Sequence, residues 1–449
     1  MDAGFAKFRI TPPLGTRMLG FAVRDLKGGA ESVHDDLFVR ALYLRHNGER
    51  ALVISYDLLF WARRDADHML GILGRTMELL PRQVLINFTH THMGPALGSW
   101  GLARFGGLVD ELYLEQVQCA TLEAAQAARR AAQPVTITAG MTSTDQPISR
   151  RRPDGQGNTL FAPNPKERTC RAVPICMMRC GDGRPVAVLF SASCHPSTIT
   201  GHAISADYPG AAVERINRHL GADVAMFLQG CAGDTKPRII ADADGGRSFR
   251  CGTWDEVQTV GQSIADQVIA CIDSRNNAGL SPVAPALATD DCEMPFPLAP
   301  TPPREFFEHV LAQPPDNQGD VRRLWARRQL DQLDRGMSLP TSAMVRMQCL
   351  KLGNDLRLIG IEGEPVADFA HWVLDAFGGA SGGGVTFPLG YTFSQGLYLP
   401  SERMLPEGGY EVESYYEYGL PAPLAPGYES VFKQSLAEVA QRCAEAPPC

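Results

Sequence analysis

Two hydrophobic periodicities alternate along this chain. Residues 37–46 (LFVRALYLRH) and 51–59 (ALVISYDLL) are dense in aliphatic residues and read as strands. Residues 62–80 switch to helical spacing, and 83–92 (QVLINFTHTH) returns to a β-rich run. A long helix is expected at about 108–131, strands at 134–141 and 185–194, and helices at about 208–220, 254–274 and 319–334. The stretch 346–362 (RMQCLKLGNDLRLIGIE) reads as a hairpin turning at Gly353-Asn354. A helix at 365–377 and a C-terminal helix near 429–445 complete the pattern. Strands interleaved with helices predict α/β layers rather than separate all-α and all-β regions. The Pro-rich stretch 293–303 (EMPFPLAPTPP) is expected to cross the surface.

Composition narrows the function classes. The chain has 449 residues, 44% apolar and 20% charged, as folded globular proteins have. A formal charge of −8 and the lack of a long basic run argue against a nucleic-acid partner. The opening MDAGFAKFRITPPLG has no apolar signal core, and no stretch approaches the ~20 apolar residues of a membrane span. A cytoplasmic protein without a membrane anchor is therefore expected. Twelve cysteines lack framework spacing, and Cys176 and Cys180 form an isolated CxxxC. They are expected to be reduced, mostly buried thiols.

Four segments carry candidate chemistry, each just past an apolar strand. In 87–95 (NFTHTHMGP), strand alternation predicts that His90 and His92 project to one face, with Gly94-Pro95 breaking the strand. PVAVLFSAS runs into Cys194-His195-Pro196-Ser197. His195 there needs a partner, either a metal or a backbone carbonyl. LRLIGIE runs into Gly363-Glu364-Pro365, where Glu364 fits a ligand or a carboxylate at a helix N-terminus. VAMFL runs into 229–237 (QGCAGDTKP), where Asp234 fits a turn former or a partner for a histidine. Strand ends are where α/β folds place ligands. Histidines plus a glutamate are the donor types of a catalytic zinc, which leaves one position for water.

These segments resemble those of the neutral ceramidase family. THTHMGP resembles its THTHSGP-type motif, CHPSTI followed by Ser205-Ala206-Asp207 its second histidine segment, QGCAGDTKP its QSNSGDVSP segment, and Gly363-Glu364 its GE motif. Tyr398 and Tyr410-Glu411 match two tyrosines of its YxTTxEEYxAQxYE segment, and Gly20-Phe21, His34-Asp35-Asp36-Leu37 and Arg40-Ala41 match its opening. The resemblance implies layered mixed β-sheets with flanking helices, over one catalytic domain spanning 1–449. It implies one zinc held by His90, His195, Glu364 and Tyr398, with His92, Tyr410 and Arg150 lining the reaction centre. Arg151 and Arg152 are alternatives to Arg150, and either His92 or Tyr410 fits the general acid.

The chain also departs from the family pattern. Ala232 stands where the family's NSGD serine stands, so a serine acyl-enzyme there is excluded. The family's secretory signal and C-terminal immunoglobulin-like domain are expected to be absent, so a small or medium polar amide is the expected substrate. Zinc-activated water is the expected nucleophile. The same donor set would also serve an ester or lactone hydrolase, a non-hydrolytic zinc enzyme, or an inactive binding protein. Asp207 is expected to cap a helix or to orient a ligand or a loop, Trp100 to wall the pocket, and the 239–250 loop to meet a charged or hydroxylated molecule.

Overall fold

The computed structural model describes residues 1–21, 28–95, 97, 110–242, 245–274, 279–314, 321–377, 384–394 and 396–445. Its centre is a 13-stranded mixed sheet. The first strands are β1 (Asp2–Arg9), β2 (Phe38–His46), β3 (Glu49–Tyr56), β4 (Val84–Phe88) and β5 (Gln133–Ser143). A hairpin of β6 (Pro147–Pro153) and β7 (Thr159–Asn164) lies outside that sheet and pairs with β11 (Thr235–Pro237). The sheet continues with β8 (Ala172–Cys180), β9 (Pro185–Ala192), β10 (Ala225–Gln229), β12 (Ser281–Val283), β13 (Pro285–Pro297), β14 (Ser342–Gly353) and β15 (Leu356–Glu362). A short β16 (Glu364–Pro365) precedes β17 (Val385–Thr392) and pairs with β18 (Tyr398–Leu399). The spatial order is β10-β9-β8-β5-β1-β2-β3-β4-β17-β15-β14-β13, with β12 on β5.

Both faces of this sheet are covered, which explains its long apolar runs. On β2, Val39, Ala41 and Tyr43 pack outward, while Leu42 and Leu44 enter an inner core. On β8, Val173, Ile175 and Met177 face outward, and Cys176 and Met178 face that same inner core. On β14, Val345 and Met347 face out and Leu350 and Leu352 face in. The inner core thus joins the two halves of the sheet.

Helices cover the outer faces in pairs. Helices α1 (Arg63–Met77) and α2 (Glu111–Arg130) cover the β2 side, and α3 (Asp207–Leu220) and α4 (Trp254–Asp273) the β8 side. Helices α5 (Arg304–Ala312) and α6 (Val321–Asp334) form a small cluster around Phe307 and Trp325. Helices α7 (Ala367–Ala376) and α8 (Tyr428–Glu445) cover the β14 side.

Several expectations change. Strand β4 ends at Phe88, and His90 adopts a left-handed backbone (φ 63°), so strand alternation does not orient the two histidines. Gly94-Pro95 does more than break a strand, since it pairs with Met18-Leu19. The Pro-rich surface crossing begins later than expected. Residues up to Pro297 belong to β13, and their prolines are tolerated because β13 is an edge strand. Strands β1, β6, β7, β8 and β17 and helix α5 were not among the expected elements. The described cysteines are free thiols, most of them buried. Trp100 lies outside the described residues.

Candidate metal centre

Three pairs in the sheet are parallel: β3 with β4, β9 with β10, and β15 with β17. The carboxyl ends of β4, β9, β10, β15 and β17 carry the candidate loops. Asn87 joins three of these strands. Its Oδ1 accepts from Gln229 N at 2.8 Å, and its Nδ2 donates to Gln229 O at 3.2 Å and Gly390 O at 2.8 Å.

The three histidines converge with one common geometry. His90 Nδ1 lies 2.9 Å from Leu59 O, His92 Nδ1 2.7 Å from Gly20 O, and His195 Nδ1 3.3 Å from Ala232 O. A carbonyl can only accept, so each Nδ1 carries the proton and each Nε2 keeps its lone pair. His92 Nε2 and His195 Nε2 face each other at 2.7 Å. Two lone pairs at that distance repel unless a proton or a cation lies with them. The ligand atoms of all three histidines fall within 4.8 Å of one another. His90 Nε2 is buried without a hydrogen bond and faces Glu364 Oε2 at 3.3 Å. Burial, followed by the charges of Arg150 and Lys236, holds the His195 imidazole well below its usual range and keeps it neutral. This donor set fits a cation, because carbonyl-anchored imidazoles are how proteins orient metal ligands.

Neighbouring loops fix these side chains. Glu364-Pro365 pairs in parallel with Tyr398-Leu399, which sets Glu364 beside Tyr398. Glu364 Oε1 accepts from the Tyr418 hydroxyl at 3.1 Å. Burial pushes its carboxyl up, but His90 and the Tyr398 hydroxyl together hold it below the usual carboxylate range. Asp234 is more than a turn former. Its Oδ1 accepts from Ala367 N at 2.9 Å and so caps α7, which follows Glu364. Asp207 is not the N-cap of α3, a position that Ala206 takes, but it does hold a loop. It opens α3, accepts from Tyr208 N, and holds Thr198 through its N–H (3.0 Å) and its hydroxyl (2.6 Å), three residues past His195.

An aromatic and cationic wall adjoins the histidines. Arg150 is buried, with Nε 2.7 Å from Glu411 Oε1 and its guanidinium carbon 5.3 Å and 5.4 Å from the Tyr398 and Tyr410 rings. Arg151 bonds the other Glu411 oxygen, Glu407 and Gly408 O, while Arg152 stays in the β6–β7 ladder. The Tyr410 hydroxyl donates to Glu417 Oε2 at 3.3 Å. In the 239–250 loop, Arg250 is engaged by Asp242 and Glu256. Ala232 is fully buried. Burial holds the neighbouring Cys231 thiol well above its usual range, so it is no thiolate.

The structure therefore gathers His90, His92, His195 and Glu364 into one cluster, and sets Tyr398, Tyr410 and Arg150 beside it. Four further residues had been given no role. Tyr391 places its hydroxyl 3.3 Å from His195 Nδ1 and its ring 4.2 Å from that of His90. Tyr418 and Glu411 anchor Glu364 and Arg150. Lys236 is buried behind Ser197. The signal for Glu411 was its place in the Tyr410-Glu411 motif. A tyrosine after an apolar run reads as core, so Tyr391 gave none.

Known structures share this architecture. A ceramidase in complex with C2 matches with a TM-score of 0.74 at 16% identity, over 100% of this chain and 76% of that one. The neutral ceramidase from Pseudomonas aeruginosa matches with a TM-score of 0.73 at 17% identity, over 100% of this chain and 75% of that one. No protein-family model matches the sequence, and no curated protein matches it. At these identities the likeness is one of fold, and the chain has the ceramidase-like fold over its full length. Among the described residues, no helix is long and apolar enough to cross a membrane.

Proposed function

We propose that this chain is a zinc-dependent hydrolase of linear amides, with His90, His195, Glu364 and Tyr398 holding the ion. The observation that carries the reading is the set of three Nδ1–carbonyl bonds, which aims three Nε2 lone pairs at one place beside Glu364. The ceramidase fold of its structural neighbours supports amide hydrolysis as the reaction class. When bound, zinc supplies hydroxide from water near neutral pH and polarises the scissile carbonyl.

The chain's own residues do the rest. His92, fixed through Nδ1 on Gly20 O, offers Nε2 to take a proton from the attacking water and return it to the leaving amine. An amide anion is too poor a leaving group to depart unprotonated. Tyr410 is the alternative acid. Arg150, held by Glu411 against the tyrosine rings, would stabilise the tetrahedral oxyanion. Water as the nucleophile agrees with the buried Ala232 and the protonated Cys231.

Elemental analysis of purified protein is expected to give one zinc per chain. His195→Ala is expected to lose both zinc and amide turnover, with an unchanged far-UV circular dichroism spectrum. His92→Ala is expected to keep zinc and lose turnover by ~100-fold or more. Loss of zinc from that variant would make His92 a ligand and pass the acid role to Tyr410. Wild-type protein that binds no added zinc, or an acyl group trapped on Cys231, would overturn the mechanism. Short polar N-acyl compounds are expected to be cleaved faster than long-chain ceramide in detergent, and the reverse order would reject a polar substrate.

A further inference from the structure

Lys236 is a buried cation with no carboxylate in ion-pair range among the described residues. It is 8% exposed, and its Nζ donates to Ser197 Oγ at 2.9 Å and Ser197 O at 3.4 Å. An ammonium has three donors, so among the described residues one remains unused. Lys236 lies opposite Ile148 in the β11–β6 ladder. Residues two apart on a strand share a face, so Lys236 and Arg150 face the same side. Ser197 follows His195 by two residues, which keeps their Cα atoms within about 8 Å.

The surroundings of Lys236 lead back to the candidate centre. Its Nζ is 5.7 Å from the Phe249 ring, and Phe249 meets Phe161 at 6.0 Å. Phe161 lies 5.1 Å from the Arg150 guanidinium and 6.0 Å from the Tyr410 ring. Half of Phe161 is exposed, so these aromatic contacts run from Lys236 and Arg150 to the surface.

The two cations on that face differ in one respect. Arg150 has Glu411 as its counter-ion, although its buried Nη2 makes no hydrogen bond. Among the described residues Lys236 donates only to neutral oxygens, with the Asp207 carboxylate beyond ion-pair range. Lysine is almost never buried unless paired, because burying an uncompensated charge is costly. Burial, and then the Arg150 guanidinium, press the Lys236 ammonium down to about 7. An anion placed between the two would relieve both effects.

We propose that Lys236, with Arg150 beside it, forms an anion subsite that selects linear N-acyl amides carrying a carboxylate close to the scissile bond. Lys236 supplies the point charge and its free donor, and Arg150 Nη2 supplies a second donor. This subsite rests on the amide-hydrolase reading above and narrows it to acylated amino acids and related acids.

The test compares N-hexanoylglycine with its neutral counterpart, N-(2-hydroxyethyl)hexanamide, on the zinc-loaded full chain. Wild-type protein is expected to favour the carboxylate by at least ten-fold in kcat/KM. Lys236→Met is expected to bring that ratio near one, chiefly through KM for the acid. Should neither amide be cleaved, the hydrolase reading fails on its own. Calorimetry then still decides the subsite, since N-hexanoylglycine is expected to bind wild-type protein at least ten-fold more tightly than Lys236→Met. Should that variant not fold, the wild-type comparison of acid and neutral amide decides. Equal handling of the two compounds by wild-type protein, or a preference that survives in Lys236→Met, overturns the proposal.

Discussion

His90, Asp207, Tyr391 and Phe393 all hold a left-handed backbone, with φ of 63°, 52°, 54° and 63°. The other two non-glycine residues of this kind among those described are Asn47, in the β2–β3 turn, and Glu78, at the C-cap of α1. Those two sites favour the conformation for local reasons. The four at the candidate centre are held by the surrounding loops, and such strain collects where side-chain geometry matters. This bears on what the sequence reveals at this scale. Position after an apolar strand singled out His90, His195 and Glu364, and they meet. Ring direction was not legible, because it follows from a backbone reversal at His90 and from the carbonyls of Leu59, Gly20 and Ala232.

A residue-scale prediction concerns Asp35, from the His34-Asp35-Asp36 segment. It accepts from Ala206 N at 2.7 Å and Ser205 Oγ at 2.5 Å, and so fixes the approach to α3. Burial pushes its carboxyl from 3.8 up to about 6, against the pull of those hydrogen bonds. The folded state therefore holds the proton more tightly than the unfolded state. This group's favourable share is fully present below pH 4 and is lost as pH rises through 6, by at most about 3 kcal/mol. Asp35→Asn is expected to flatten the pH dependence of unfolding free energy between pH 4 and 7, measured by urea titration. An unchanged slope would show that Asp35 is not the group responsible.

At the scale of elements, strongly periodic segments were legible and punctuated ones were not. Helices α3, α4 and α8 fall within a residue of expectation, α1 ends three residues early at Met77, and the β14–β15 hairpin turns where expected although β14 starts four residues earlier, at Ser342. Strand β17 (VTFPLGYT) contains Pro388 and Gly390, which read locally as loop signals, yet it is paired in the middle of the sheet. Pairing across the fold overrides the local signal there. Loops dock as closely as strands do. A Cβ on Gly233 would sit 2.5 Å from Glu364 O and 3.1 Å from the Pro365 carbonyl. That backbone cannot retreat without moving the Glu364 carboxylate. Gly233→Ala is expected to lose about 1–3 kcal/mol of stability. It is also expected to weaken zinc binding by at least ten-fold. Thermal melting and competition with a chelator measure the two effects, and full zinc affinity in this variant would refute the coupling.

At the scale of the whole molecule, the sheet brings its own edge back over its middle. Strand β10 is at one end of the spatial order, yet it meets β3 through Ser55 Oγ on Phe227 O (2.7 Å) and β17 through the Gly230–Leu389 bridge. Asn87 locks that closure, with all its bonds buried. No local pattern announces it, because Asn87 and Gln229 are 142 residues apart. The closure carries His90 and His92 past β4 and hangs the loop of Ala232, whose carbonyl orients His195, from β10. Asn87→Ala would leave Gln229 N and O and Gly390 O without their partner, at a cost of about 3 kcal/mol or more. Leu356→Ala, in the inner core at the start of β15, should cost a similar 2–5 kcal/mol by leaving a cavity. If the Asn87 junction positions the ligands, Asn87→Ala loses zinc affinity well beyond Leu356→Ala at matched loss of stability. Urea unfolding and chelator competition on both variants decide the matter. Equal losses of affinity would mean that zinc binding follows overall stability and owes nothing particular to Asn87.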